Sequence, residues 1–164
     1  MKNIFKIATL LLAFQVTITN SNAQTASYSR SPKSQKMNNI KSNKVLLVGI
    51  DPKELDFTKI TFITEKELSE SLQTEKQKLI NAGYDADWCF VDLGTTAEKT
   101  LKDKLSRDEY SLVMIGAGIR TLPDNFILFE NLVNVIHKFA PNSQIGFNTN
   151  QNDTEISVKR RVKL

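Results

Sequence analysis

Ser111–Phe139, SLVMIGAGIRTLPDNFILFENLVNVIHKF, contains a buried strand, a glycine loop and an amphipathic helix without interruption. Leu112, Val113, Met114 and Ile115 form a continuous apolar run, as a strand does when helices cover both faces of a parallel sheet. Gly116-Ala117-Gly118 predicts a sharp turn, because glycine tolerates positive φ and has no Cβ to obstruct an approaching group. Pro123 suits the first turn of a helix and Asp124 its positive end, so the helix is expected to start near Leu122 or Pro123. Phe126, Phe129, Leu132, Val133, Ile136 and Ala140 recur at spacings of three and four and predict its inward stripe. Pro141 ends it.

The same unit recurs on either side. Lys44–Ile50, KVLLVGI, is a second continuous apolar run, stopped at Asp51-Pro52. Thr64 and Glu67 have the spacing of a capping box, which predicts a helix to about Ala82, with Leu68, Leu72, Leu79 and Ile80 inward and Gly83 as its stop. Between them, Asp51 to Ile63 is long for a strand-to-helix connection of typically about 2–6 residues. Its Phe57, Ile60, Phe62 and Ile63 need a surface, either as a lid over the strand ends or, as we expect, as plain packing on the core. Ala86 to Val91 reads as the next strand, ending in Asp92, and Thr95 with Glu98 predicts a capped helix to about Arg107. Gln144 to Phe147 is a fourth strand, and Glu155 to about Val162 a last helix capped by Asp153 or Thr154.

Alternation of this kind implies right-handed crossovers. The expected fold class is α/β: a single three-layer α/β/α sandwich on a four-stranded parallel sheet, flavodoxin-like with order 2-1-3-4, or Rossmann-like.

Ahead of the domain, residues 1–23 have the three parts of a secretory signal peptide: Lys2 and Lys6, the apolar Ile7 to Phe14, and a polar end at Ser21-Asn22-Ala23. The expectation is export to the periplasm or medium after cleavage near Ala23, with no membrane span left, since crossing about 30 Å of hydrocarbon takes about 20 apolar residues. Residues 24–43 are rich in Ser, Asn, Gln and Lys and read as a flexible tether, leaving 44–164 as one domain. Six of the 22 Lys and Arg precede Lys44, so the domain carries 16 cations against all 18 acids, a net of −2. A basic face for nucleic acid is therefore not expected. Cys89 is the single cysteine, in the apolar run Trp88 to Val91, and reads as core. His137 is the single histidine and reads as a helix-end residue, so no set of metal-binding His and Cys exists.

Ligands of open parallel sheets lie beyond the carboxyl ends of the strands where the order reverses. For 2-1-3-4 that gathers Asp51, Gly116, Gly118, Arg120 and Asn148, with Asp92 on the same rim. Backbone N–H groups, an arginine fork and a helix start suit an anion such as a phosphate, carboxylate or nucleotide. Each residue also has a plainer reading: a tight turn for the glycines, turn or helix capping for Asp51 and Asp92, an ion pair for Arg120. The third glycine of a dinucleotide fingerprint is missing, and no phosphate-loop lysine or nucleophile elbow occurs. The expected function is an exported domain binding a small anion or nucleotide. The alternatives are a protein-interaction module without a small-molecule site, or a hydrolase or transferase using Asp51 and Asp92 with a divalent cation.

Val45 to Pro52, Asp85 to Asp92, Val113 to Arg120, Phe129 to Asn134, His137, Ala140-Pro141 and Phe147-Asn148-Thr149 together resemble a family of small bacterial proteins of one domain's length. The resemblance runs from Lys44 to Asp153. It implies a Rossmann-like or flavodoxin-like sandwich and brings no activity, cofactor or catalytic residue with it.

Overall fold

A computed structural model describes residues 42–164. The expected signal segment, and the tether up to residue 41, lie outside the described residues. Four strands, β1 (Lys44–Ile50), β2 (Asp85–Val91), β3 (Leu112–Ile115) and β4 (Gln144–Phe147), form one sheet in the order β2-β1-β3-β4. Every neighbouring pair is parallel, with Val48 opposite Cys89 on one side and Ile115 on the other, and Ile115 opposite Phe147. Five helices alternate with the strands: α1 (Glu65–Asn81), α2 (Ala97–Leu105), α3 (Ala117–Thr121), α4 (Phe126–Phe139) and α5 (Thr154–Arg161).

The apolar runs are continuous because both faces of the sheet are covered. On one face Leu46, Val48, Val113 and Ile115 pack against Leu101 of α2, Ile119 of α3, and Leu132 and Ile136 of α4. On the other, Val45, Leu47, Leu112 and Met114 meet Leu79 of α1, Val158 of α5 and Val162 just after it. Tyr84 closes this second layer by donating its hydroxyl hydrogen to the Val162 carbonyl at 2.8 Å. Cys89 lies in the first layer, and burial pushes its thiol up to about 11.

Local signals set the first helix. Thr64 accepts from the Glu67 N–H, and the Glu67 carboxylate accepts from the Thr64 N–H, a complete capping box. Gly83, at φ +95°, stops it.

Several expectations are corrected. The segment after β3 contains no glycine turn: Gly116 caps α3 at φ −65° and Gly118 lies inside that helix. Glycine is favoured at 116 by proximity instead, since a Cβ there would stand 3.2 Å from the Val48 carbonyl oxygen. Because α3 and a 3-10 turn at Pro123–Asn125 use up the following residues, α4 starts only at Phe126 and buries Leu128, Leu132, Val135 and Ile136. Phe126 is 61% exposed. In α1 the inward stripe passes from Leu72 through Glu75 to Leu79, which turns Ile80 out to 43% exposure. Glu75 is buried and bonded to the Lys78 ammonium at 2.5 Å. Finally, the cap position of α2 is Thr96 rather than Thr95, and its side chain does not bond the helix: it is held by Asp92, whose carboxylate accepts from the Gly94 N–H and from the N–H and hydroxyl of Thr96. The connection from Asp51 to Ile63 packs only in part: Leu55 reaches the core, whereas Phe62 is 87% exposed.

These faces set the expected cost of truncation. Leu46→Ala, at a fully buried site in the central strand, is expected to cost about 2–5 kcal/mol, read as a lower urea midpoint at unchanged slope. Ile80→Ala is expected to change stability by no more than about 0.5 kcal/mol. Equal costs at the two positions would contradict the assigned faces.

Candidate functional site

The sheet order brings the ends of all four strands to one edge. At its middle the ends of β1 and β3 are drawn together, the Gly116 N–H donating to the Val48 carbonyl at 2.8 Å. On the other side the Asp51 N–H donates to the Val91 carbonyl at 2.9 Å, tying β1 to β2.

Asn148, one residue beyond β4, is buried and organises the β4 side of this edge. Its Oδ1 accepts from the Ala117 N–H at 2.8 Å, its Nδ2 donates to Thr154 Oγ1 at 3.0 Å, and its carbonyl accepts from Arg120 Nη2 at 2.8 Å. One amide residue thereby links β4 to the start of α3, to the start of α5 and to the arginine. Asp153 completes the turn, accepting from the N–H groups of Thr149 and Asn150 and from the Thr149 hydroxyl. Desolvation pushes its carboxyl up, but these donors outweigh it and hold the group below the usual carboxylate range.

Arg120 is only partly exposed and lies with its guanidinium carbon 5.9 Å from the centroid of the Phe147 ring. No carboxylate of the described residues lies within 4.0 Å of it, so the ion-pair reading is not what positions it. Its Nε is buried without a hydrogen-bond partner. The arginine is therefore held by a carbonyl and an aromatic face, with its charge uncompensated.

The other expected residues are differently occupied. Asp51 Oδ1 accepts from the Lys53 N–H at 3.1 Å and caps the 3-10 turn Pro52–Glu54. Both oxygens of Asp92 accept hydrogen bonds at the entry to α2. Gly118 contributes its carbonyl, which accepts from Asn125 Nδ2 at 3.1 Å. Because the first N–H of α3 already serves Asn148, and that helix has five residues, an anion at this edge would rest on the guanidinium rather than on a helix terminus. The structure thus joins Arg120, Asn148 and the Gly116–Gly118 segment into one network, and gives Asp51 and Asp92 separate capping duties. Thr154 and Phe147 belong to the network and were not anticipated; their partners are distant in sequence and leave no local signal.

Among the described residues, no group of three or more His, Cys, Asp or Glu is arranged to hold a metal ion, and no helix is long and apolar enough to cross a membrane. No family model, curated protein or solved structure matches the chain.

The hydrogen bonds on Asp92 have a pH consequence. Desolvation raises its carboxyl, but the Gly94, Thr96 and Ala97 donors outweigh that and lower it overall. With the folded value below the unfolded one, its stabilisation is complete above the ordinary carboxylate value of about 3.9 and is lost as pH falls through the folded value. The expected result is that the thermal midpoint of the wild type falls more steeply below about pH 4 than that of Asp92→Asn. Parallel profiles would contradict this role.

Proposed function

We propose that the edge formed by the strand ends binds a small anion, of the phosphate, carboxylate or nucleotide class, with Arg120 as its electrostatic anchor, in a domain exported by its N-terminal signal. The observation that carries this reading is the uncompensated guanidinium. A partly desolvated cation is costly without a counter-charge, and this one lies on the β4 side of the edge formed by the carboxyl ends of the strands, the edge at which ligands of such sheets gather. The Asn148 carbonyl and the Phe147 ring fix its orientation, so little side-chain entropy remains to be lost on binding. Of the five N–H groups of the guanidinium, one bonds Asn148 and the Nε–H is buried, so three remain on the two Nη atoms, enough for a two-pronged contact to a carboxylate or phosphate.

A protein-interaction role is the second reading. It is favoured by apolar side chains left in water, Phe62 ahead of α1 and Phe126 and Ile127 at the start of α4, each more than half exposed.

A thermal-shift series with inorganic phosphate, pyrophosphate, citrate and adenosine triphosphate separates the two. The anion reading expects at least one to raise the midpoint, a ligand at about 100 times its dissociation constant adding about 2.7 kcal/mol. It expects the rise to vanish in Arg120→Ala, to shrink in Arg120→Lys, and to persist in Arg161→Ala. No rise with any of the four at about 10 mM, or an undiminished rise in Arg120→Ala, overturns it.

A further inference from the structure

The two edges of the sheet are finished differently. The β4 edge is closed by α5: Arg160 Nη2 donates to the Phe147 carbonyl at 3.0 Å, and Gln144 Nε2 donates to the Arg161 carbonyl at 3.1 Å. At the β2 edge, Asp85 and Val91 bond inward to the β1 side, through Asp85 N–H to Asn43 and Val91 carbonyl to Asp51 N–H. In a parallel ladder a residue directs both its main-chain groups to the same side. Ala86, Trp88 and Phe90 therefore point theirs away from the sheet, where no described strand follows.

Only part of this edge is blocked. Asp87 Oδ1 accepts from the Trp88 N–H at 2.8 Å, and the same carboxylate is held by Lys76 of α1 and Lys104 of α2, a charged clamp over the middle of the strand. Beyond the clamp the Trp88 carbonyl and both main-chain groups of Phe90 stay open. Beside them lies a cleft of about 330 Å³ between the outer edge of β2 and α2, walled by Trp88, Phe90, Thr100, Asp103, Lys104 and Arg107. The edge beside it is firm: the Trp88 and Phe90 rings stack at 4.9 Å and 11° on the face covered by α1, where the indole lies against Gly49, and Cys89 faces α2. Its charges are committed except one. Lys104 is paired with Asp87 and Asp103 with Lys99, whereas no carboxylate of the described residues lies within 4.0 Å of Arg107.

We propose that this half-open edge and its cleft bind an extended acidic peptide segment, which adds main-chain hydrogen bonds at Phe90 and places a carboxylate on Arg107. Added-strand recognition needs open main-chain groups for affinity and flanking pockets for selectivity, and both are present together only beyond the Asp87 clamp. The unpaired arginine sets the sign of the partner's charge.

The probes are capped peptides of alternating Val and Glu, with a Val-Lys counterpart and a Val-Glu version N-methylated along one edge. Trp88 is the only tryptophan, so its emission reports occupancy of the cleft, and amide exchange at Phe90 reports the added strand. The expected result is that Val-Glu peptide shifts Trp88 emission and slows exchange at Phe90, while the N-methylated peptide does neither. Arg107→Glu, at an exposed helix end, is expected to weaken Val-Glu binding about tenfold and to turn the preference to Val-Lys. The proposal fails if Phe90 exchange is unaffected, if N-methylation is without consequence, or if Val-Lys binds the wild type as well as Val-Glu. It fails equally if Phe90 becomes protected as protein concentration rises without peptide, because the occupant is then a second copy of the chain.

Discussion

Burial of β1 on both faces is the constraint from which the architecture follows. Val45, Leu46, Leu47 and Val48 are almost entirely removed from water, and a strand with no polar face must have a strand on each side and helices above and below. Placing β2 on one side and β3 on the other makes the chain reverse its direction of travel across the sheet after β2. With right-handed crossovers, α1 must then cover one face while α2 and α4 cover the other. The two packed layers around Leu79 and around Leu101 and Leu132 are that consequence.

The same constraint determines where polar groups end up. All four strands stop at one edge, so the backbone groups freed there must be satisfied locally or face water. Asp92, Asp51 and Asp153 do this with short-range side-chain bonds, and Asn148 with a bond to the distant Ala117, which leaves an edge rich in spent acceptors. Arg120 is the exception: it is enlisted by a carbonyl rather than an acid, and its charge is left over. A leftover charge on a rigid support has more chemical consequence here than the acids, whose lone pairs are committed to structure.

Much of the fold is legible in the sequence because its cues are local. Continuous apolar runs identify Lys44–Ile50 and Leu112–Ile115 as interior parallel strands, and Thr64 with Glu67 marks a helix start from three residues of spacing. The cues fail where a distant partner decides. Gly116 looks like a turn glycine, but its role depends on the Val48 carbonyl across the sheet. The start of α4 depends on Asn125 being drawn to the Gly118 carbonyl, which no hydrophobic pattern records. Thr95 and Thr96 are equivalent as local caps, and Asp92 settles the choice from outside the helix. In the candidate site the placing of Arg120 and Asn148 at one edge follows from strand order, whereas the bond between Asn148 and Ala117 spans 31 positions and leaves no trace in either neighbourhood. The cleft beside β2 is invisible for the same reason, since it exists only once α2 is laid along an edge strand.

Interstrand amide and Hα proton contacts in isotope-labelled protein test the central claim most directly. The account expects the parallel pattern on both sides of β1, with Leu46 registering against Asp87 on one side and Val113 on the other. Antiparallel contacts between β1 and either neighbour, or contacts joining β1 to β4 instead of β3, would contradict it, because the strand ends would then no longer share one edge.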